Sequence, residues 1–337
     1  MTRVLLTGAS GFVGSHVLRH ILTTTDWEVV CLVSFRHRGL TDRIRLAVAG
    51  LDDDYERVRV LTHDLTAPIS VVLADNIGPI NYVINLASES HVDRSIEDPA
   101  PFIQNNVALM TTMLDYARVT DLDAFLHVST DEVYGPAPDG HAHMEWVDAP
   151  FPSNPYSASK AAQEAIAYSY WRTYGVPLII TNTMNIIGEA QDPEKFVPMV
   201  IRRVLLEQAV PIHSSADGAV IGSRFYLHAR NQADGLLHAL SQPILTWGDS
   251  DVPQRFHIVG EREVDNLCMA RMVAEYVGKP LLYDLVDFHS SRPGHDLRYA
   301  LDGNKIASTG WRAPYSLEES LERTVRWTLA HPEWLNL

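Results

Sequence analysis

The chain has 337 residues, 46% of them hydrophobic, which is enough for one large α/β domain or two modest ones around a substantial core. A formal charge of -15 and a pI near 5.4 argue against general affinity for nucleic acid or anionic membranes, both of which need a basic surface. Cys31 and Cys268 are isolated and lack the spacing of a metal knuckle or disulfide framework. A reducing compartment, the cytoplasm, is therefore expected, and no metal site. The apolar run at the start is too short for a signal peptide and no later run reaches the length of a membrane span, so a soluble protein is expected.

Val4-Leu-Leu is a β-rich run that meets Gly8-Ala-Ser-Gly11-Phe-Val-Gly14, after which Val13, Val17, Leu18, Ile21 and Leu22 recur with helical period. Strand, glycine turn, helix is the pattern that brings backbone amides close to a pyrophosphate and places its charge at a positive helix N-terminus. Glu28–Val33 reads as a second strand, whose end normally carries an acid for the adenosine ribose of NAD. Here Ser34, Arg36 and Arg38 stand instead. Arginines fork onto phosphate oxygens, which suits the 2′-phosphate of NADP, although a solvated loop would read the same. A third strand from Val58 ends at Asp64, placed to contact adenine. The apolar run 81–87 has buried-strand length and is followed by Ser88, Ser90, His91 and Arg94, possible cofactor or sugar contacts because ligands bind outside the carboxyl ends of such strands. A long helix runs from Pro101 through Leu114, with Asn106 either a buried polar bridge or a residue close to the site.

Residues 124–129 read as another buried strand, directly followed by Thr130, Asp131, Glu132 and Tyr134. Adjacent carboxylates in a closed site can be pushed apart in pKa, leaving one as general acid and the other as general base; a solvated acidic turn is the alternative. Asn154-Pro-Tyr-Ser-Ala-Ser-Lys160 opens a helix with Tyr156 and Lys160 one turn apart on one face. A cation so placed could lower the phenol's pKa and make Tyr156 a base. The helix continues to Tyr174, and Pro177–Thr183 reads as the next strand. Beyond it, an amphipathic helix of Val200, Val204 and Leu205 opens a smaller domain. Residues 1–182 should then form a dinucleotide-binding domain of Rossmann type, a doubly wound parallel sheet, with 183–337 mainly the substrate domain. The chain should return to the first domain at about 225–260, and a helix from Ser316 to Leu329 should pack through Leu317, Leu321, Val325 and Thr328.

T-G-A-S-G-F-V-G, N-L-A-S-E-S-H-V-D-R-S-I, S-T-D-E-V-Y-G and Y-S-A-S-K together resemble the extended short-chain dehydrogenase/reductase family, and within it the dTDP-glucose 4,6-dehydratases. The similarity runs on through Asn182–Asn185, Pro193–Pro198, Arg224 and Arg292–Asp302, so it spans nearly the whole chain. The paired Asp-Glu after Thr130 separates dehydratases from related epimerases and decarboxylases, which usually lack it. The resemblance implies a tightly held NAD or NADP, with Gly8, Ser10, Gly11, Phe12, Val13, Gly14, Ser34, Arg36, Asp64, Leu65, Leu86, Ala87, Ser88, Asn106, Tyr156 and Lys160 contacting it. It implies that Tyr156, with Lys160 and Thr130, takes the C4 hydroxyl proton of a nucleotide-linked hexose. Glu132 then removes the C5 proton and Asp131 protonates the departing C6 hydroxyl, and the product is a 4-keto-6-deoxy sugar. Ser90, His91, Asn185, Lys195 and Arg224 would meet sugar or phosphates, and Arg292 and Tyr299 the nucleoside. The family commonly forms dimers through two long helices, here 101–120 and 154–174. Alternatives are 4-epimerisation or decarboxylation within the family and, from another class, a non-catalytic dinucleotide sensor. The pattern departs from the family in a longer 214–222 loop, in Ile186-Ile187, and in Glu189 where a proline usually stands.

Overall fold

The computed structural model describes residues 1–36, 39–51, 56–287 and 297–337. Arg38 and Arg292, two of the residues singled out above, lie outside them. Strand and helix alternate through the first half: β1 (Arg3–Thr7), α1 (Phe12–Thr24), β2 (Glu28–Val33), α2 (Thr41–Val48), β3 (Val58–Thr62), α3 (Val71–Ile77), β4 (Tyr82–Asn85), α4 (Val92–Glu97), α5 (Pro99–Ala117) and β5 (Ala124–Thr130). A short 3-10 turn over Asp131–Tyr134 follows, then α6 (Pro155–Tyr174) and β6 (Leu178–Thr183). The rest comprises β7 (Asn185–Ile187), α7 (Phe196–Leu205), β8 (Val210–Ser214), β9 (Ser223–His228), α8 (Ala229–Leu240), β10 (Gln254–Ile258), β11 (Glu263–Asp265), α9 (Asn266–Val277), β12 (Tyr283–Asp287), α10 (Asn304–Ser308) and α11 (Leu317–Ala330).

The main sheet has seven strands in the order β10-β6-β5-β4-β1-β2-β3, each pairing parallel. Its strands are short apolar runs because both faces are covered. In β1, Val4 and Leu6 enter the core beneath α1 and α8, while Leu5 enters the opposite core with Met110 and Met113 of α5 and Trp171 of α6. The alternation follows from the two-residue period of a strand. Chain direction across the sheet reverses between β1 and β4, so a crevice opens at their carboxyl ends.

A second body holds the three-stranded sheet β11-β9-β7 and the pair β12-β8, with α7, α9 and α11 around a core that includes Val200, Val204, Ile212, Val273, Leu321 and Val325. The amphipathic α11 starts at a capping box: Ser316 accepts from the Glu319 amide and Glu319 accepts from the Ser316 amide. The return to the main sheet is made by α8, packed on α1, and by β10, paired with β6. Strand β9, which overlaps the start of the range expected to return at about 225–260, belongs to the small sheet, because it pairs with β7 and β11. Helix α5 starts at Pro99 rather than Pro101; proline is tolerated in a first turn whose amide has no helical partner in any case.

Candidate active site

The glycine turn sits at the crevice. Gly8 has φ +73°, and a Cβ there would come within 3.0 Å of the Ala87 amide nitrogen, while one at Gly14 would come within 2.1 Å of the Gly8 carbonyl. Only bare backbone fits so close to its neighbours. Thr7 joins the two strand ends by donating to Asn85 Oδ1 (2.7 Å) and accepting from the Leu86 and Ala87 amides (3.1 and 3.0 Å). Helix α1 begins at Gly11 with no side-chain cap and no acid in its first turn. Its amides and dipole thus face the crevice without an internal anion, which fits a pyrophosphate.

A cavity of about 710 Å³ extends from this turn into the second body. Its walls bring together Gly8, Ser10, Gly11, Phe12, Val13, Gly14, Ser34, Arg36, Asp64, Leu65, Leu86, Ala87 and Ser88 at one end and Thr130, Asp131, Glu132, Tyr156 and Lys160 beside them. Ser90, His91, Asn185, Lys195, Arg224 and Tyr299 also line it.

Strand β5 delivers the carboxylates: Thr130 ends it and Asp131 is only 5% exposed. Thr130 Oγ1 donates to Asp131 Oδ1 (2.9 Å) and accepts from the Glu132 amide (3.3 Å). Burial first, and the neighbouring Glu132 charge second, push the Asp131 carboxyl up to about 7. Asn154, whose side chain also caps α6, donates to Glu132 Oε2 (3.2 Å). Tyr156, in the first turn of α6, has its backbone amide on Ser95 Oγ (3.1 Å) and its hydroxyl bonded to Thr130. Burial, then the Glu132 charge, raise the phenol above its ordinary value.

Lys160 departs from the expected arrangement. Its ammonium donates to the Val128 carbonyl of β5 (2.8 Å), and burial lowers it to about 7 with only Glu164 opposing. No hydrogen bond joins Lys160 to Tyr156 among the described residues, so one helical turn of separation does not here produce a phenol–ammonium pair; the strand carbonyl captures the amine. Asn106 does not line the cavity either. Fully buried, it accepts from the Glu89 amide (2.8 Å) and donates to the Glu89 carbonyl (3.0 Å) and Ser159 Oγ (2.8 Å), bracing the 88–91 loop against α6. Asn106 is thus a buried polar bridge that also backs the cavity-lining loop at Glu89.

Arg36 is ion-paired with Asp64 at the rim, both side chains well exposed. Arg224, buried, donates to the Ser223 and Leu297 carbonyls (2.6 and 2.5 Å), stacks 4.7 Å over the Tyr299 ring, and its charge acts on Asp131. Tyr299 packs in one apolar cluster with Val133, Tyr134 and Met184, next to the turn that carries the carboxylates. His91 caps α4 and meets Glu194 at 2.7 Å, and Lys195 Nζ lies 3.5 Å from the Ser90 carbonyl, so two loops are tied across the mouth.

Sequence reasoning assigned no site role to Asn154, Glu164 or Glu189. Glu164 binds Asn182 Nδ2 (2.7 Å) and Arg255 (2.7 Å), and Arg255 reaches the Tyr134 hydroxyl (2.8 Å), a buried network holding the 3-10 turn to β6 and β10. Its position four residues after Lys160 was the available signal. Glu189 accepts from Arg323 and lies 3.1 Å from His228 Nε2, while its carbonyl meets His16 at 3.0 Å. It thereby links α1 to α11, and its departure from the family proline was the only hint.

Residues 4–247 match the NAD dependent epimerase/dehydratase family. Among similar proteins are dTDP-glucose 4,6-dehydratase 1 of Escherichia coli, 34% identical over 99% of this chain and 94% of its own, and low-salt glycan biosynthesis protein Agl12 of Haloferax volcanii, 34% identical over 98% and 99%. The crystal structure of DesIV, a dTDP-glucose 4,6-dehydratase from Streptomyces venezuelae with NAD bound, superposes with a TM-score of 0.85 at 32% identity, covering 99% of this chain and 98% of that one. With its glycine turn at the β1–β4 crevice and a likeness that runs the length of both chains, this protein belongs to the NAD dependent epimerase/dehydratase family.

Proposed function

We propose that the chain is a nucleotide-sugar 4,6-dehydratase, turning an NDP-hexose into an NDP-4-keto-6-deoxyhexose. The observation that carries this reading is the juxtaposition of Asp131 and Glu132 with Tyr156 on one wall of the cavity that begins at the glycine turn. A nicotinamide dinucleotide bound along Gly8–Gly14, Ser34, Asp64 and Leu86–Ser88 would supply the hydride acceptor for C4 and the donor for C6. Tyr156, hydrogen-bonded to Thr130, is the candidate base for the C4 hydroxyl; burial and the Glu132 charge hold its phenol protonated, so it must give up its own proton before it takes that of the sugar. Glu132, steadied by Asn154, removes the C5 proton that the ketone acidifies. Asp131, protonated up to about pH 7 by its burial, donates to the leaving C6 hydroxyl. Lys160 holds the backbone of β5 through the Val128 carbonyl and is the candidate contact for the dinucleotide among the residues beside Tyr156. Asn185, Lys195 and Arg224 are the candidate contacts for sugar and phosphates, with Tyr299 under Arg224.

NAD is the dinucleotide in the Streptomyces relative's structure. The preference for NADP suggested by Arg36 and Arg38 gains no support, since Asp64 pairs with Arg36. Free thiols at Cys31 and Cys268 suit a reducing cytoplasm, and no described helix is long and apolar enough to cross a membrane. A homodimer is proposed through α5 and α6, which pack side by side; sedimentation at twice the chain mass of 37.7 kDa checks it. Incubation with dTDP-, UDP-, GDP- and CDP-hexoses should give an alkali-sensitive 4-keto chromophore with at least one. Silence from all of them overturns the reading.

A further inference from the structure

Residues 135–153 leave the 3-10 turn and run outside both sheets, strapped to the segment 297–302. The Ala137 amide donates to the Arg298 carbonyl (3.1 Å), the His143 amide to that of Ala300 (2.9 Å), and the Asp302 amide to that of His143 (2.8 Å). The strap carries His141, His143 and Asp148, of which His143 is buried and the other two partly exposed. His141 Nε2 is 3.1 Å from Asp148 Oδ1, and His143 Nδ1 is 3.6 Å from the same oxygen. One ligand atom from each residue lies within 4.8 Å of the others. The second Asp148 oxygen accepts from the Met144 amide (2.7 Å), which sets the rotation of the carboxylate.

His143 is the informative member. It is 8% exposed, its ring stacks on Tyr134 at 5.1 Å, and neither ring nitrogen has a hydrogen-bond partner among the described residues. A buried imidazole with both nitrogens unsatisfied is costly. A simple His141–Asp148 ion pair would leave that cost in place. A tetrahedral ion with bonds of about 2.0–2.1 Å holds its ligand atoms about 3.3 Å apart, a spacing between the two distances measured here. Two imidazoles and one carboxylate favour a zinc-class ion over magnesium or calcium, which select oxygen ligands, and leave a fourth position for water.

We propose that His141, His143 and Asp148 bind one divalent transition-metal ion of the zinc class, pinning the strap behind the wall that carries Asp131 and Glu132. Through Tyr134 the ion sits against the 3-10 turn without reaching the cavity, so its part is structural. The whole protein, stripped with chelator and titrated with Co²⁺, should show the visible absorption of tetrahedral cobalt saturating at one equivalent and bleached by one equivalent of Zn²⁺. His141→Ala removes a half-exposed ligand with little demand on the fold and should abolish the band, as should His143→Ala. The absence of the band in the wild-type protein overturns the proposal. So does a His141→Ala protein that titrates and bleaches as the wild type does.

Discussion

At the scale of single residues, the chemistry turns on how far burial shifts each group. Asp131 is held up to about 7 from 3.8, chiefly because its charged form is desolvated and secondarily because Glu132 stands beside it. The folded state therefore binds a proton that the unfolded chain releases. That stabilisation is complete below the unfolded value and is lost as pH rises through the folded one. The melting temperature of the wild-type protein should fall relative to Asp131→Asn between about pH 4 and pH 7; a relative rise across that window contradicts the assignment. In the proposed mechanism the same proton serves as the acid for the C6 hydroxyl, so turnover should decline above about pH 7, and Asp131→Asn should lower kcat about 100- to 10,000-fold. Tyr156→Phe should cost a similar factor while leaving dinucleotide binding intact, which fluorescence titration can separate from turnover.

At the scale of elements, two junctions position these groups. The turn between β1 and α1 has no room for a side chain at Gly14, where a Cβ would meet the Gly8 carbonyl at 2.1 Å. Gly14→Ala should destabilise the protein by about 1–3 kcal/mol and weaken dinucleotide binding, measured by denaturant melts and by titration. The second junction is the buried Glu164–Arg255 pair, which ties α6 to β10 and, through the Tyr134 hydroxyl, to the turn carrying the carboxylates. Glu164→Ala leaves Arg255 buried without its carboxylate. A loss of about 3–5 kcal/mol is expected, against near neutrality if the pair were solvated.

These elements also show what was legible in the residues alone. The glycine turn, the apolar strands and the Asp-Glu pair could be read because local periodicity and chain order decide them: strand, turn and helix are neighbours in sequence as well as in space. The hydrogen-bond partner of Lys160 was not legible. Whether its amine meets a phenol or the Val128 carbonyl depends on a strand 32 residues away. Asn106 and Arg36 share that difficulty, since their partners Glu89 and Asp64 come from other elements. The same holds for β9, whose partners β7 and β11 come from either side of it in the chain.

At the scale of the whole molecule, the main sheet carries the glycine turn and the carboxylates, and residues of the second body such as Lys195 and Arg224 line the same cavity. Glu189 with His16, His228 and Arg323 joins the two bodies, and the His91–Glu194 pair ties their loops at the mouth. A cavity walled by both bodies suits a reaction in which one hydride leaves and returns to the same sugar. The most direct test is therefore turnover of NDP-hexose carrying deuterium at C4, read by mass spectrometry and NMR. The expected product has lost one water and carries the label at C6. A product of unchanged mass with the label back at C4 would contradict the account and point to epimerisation.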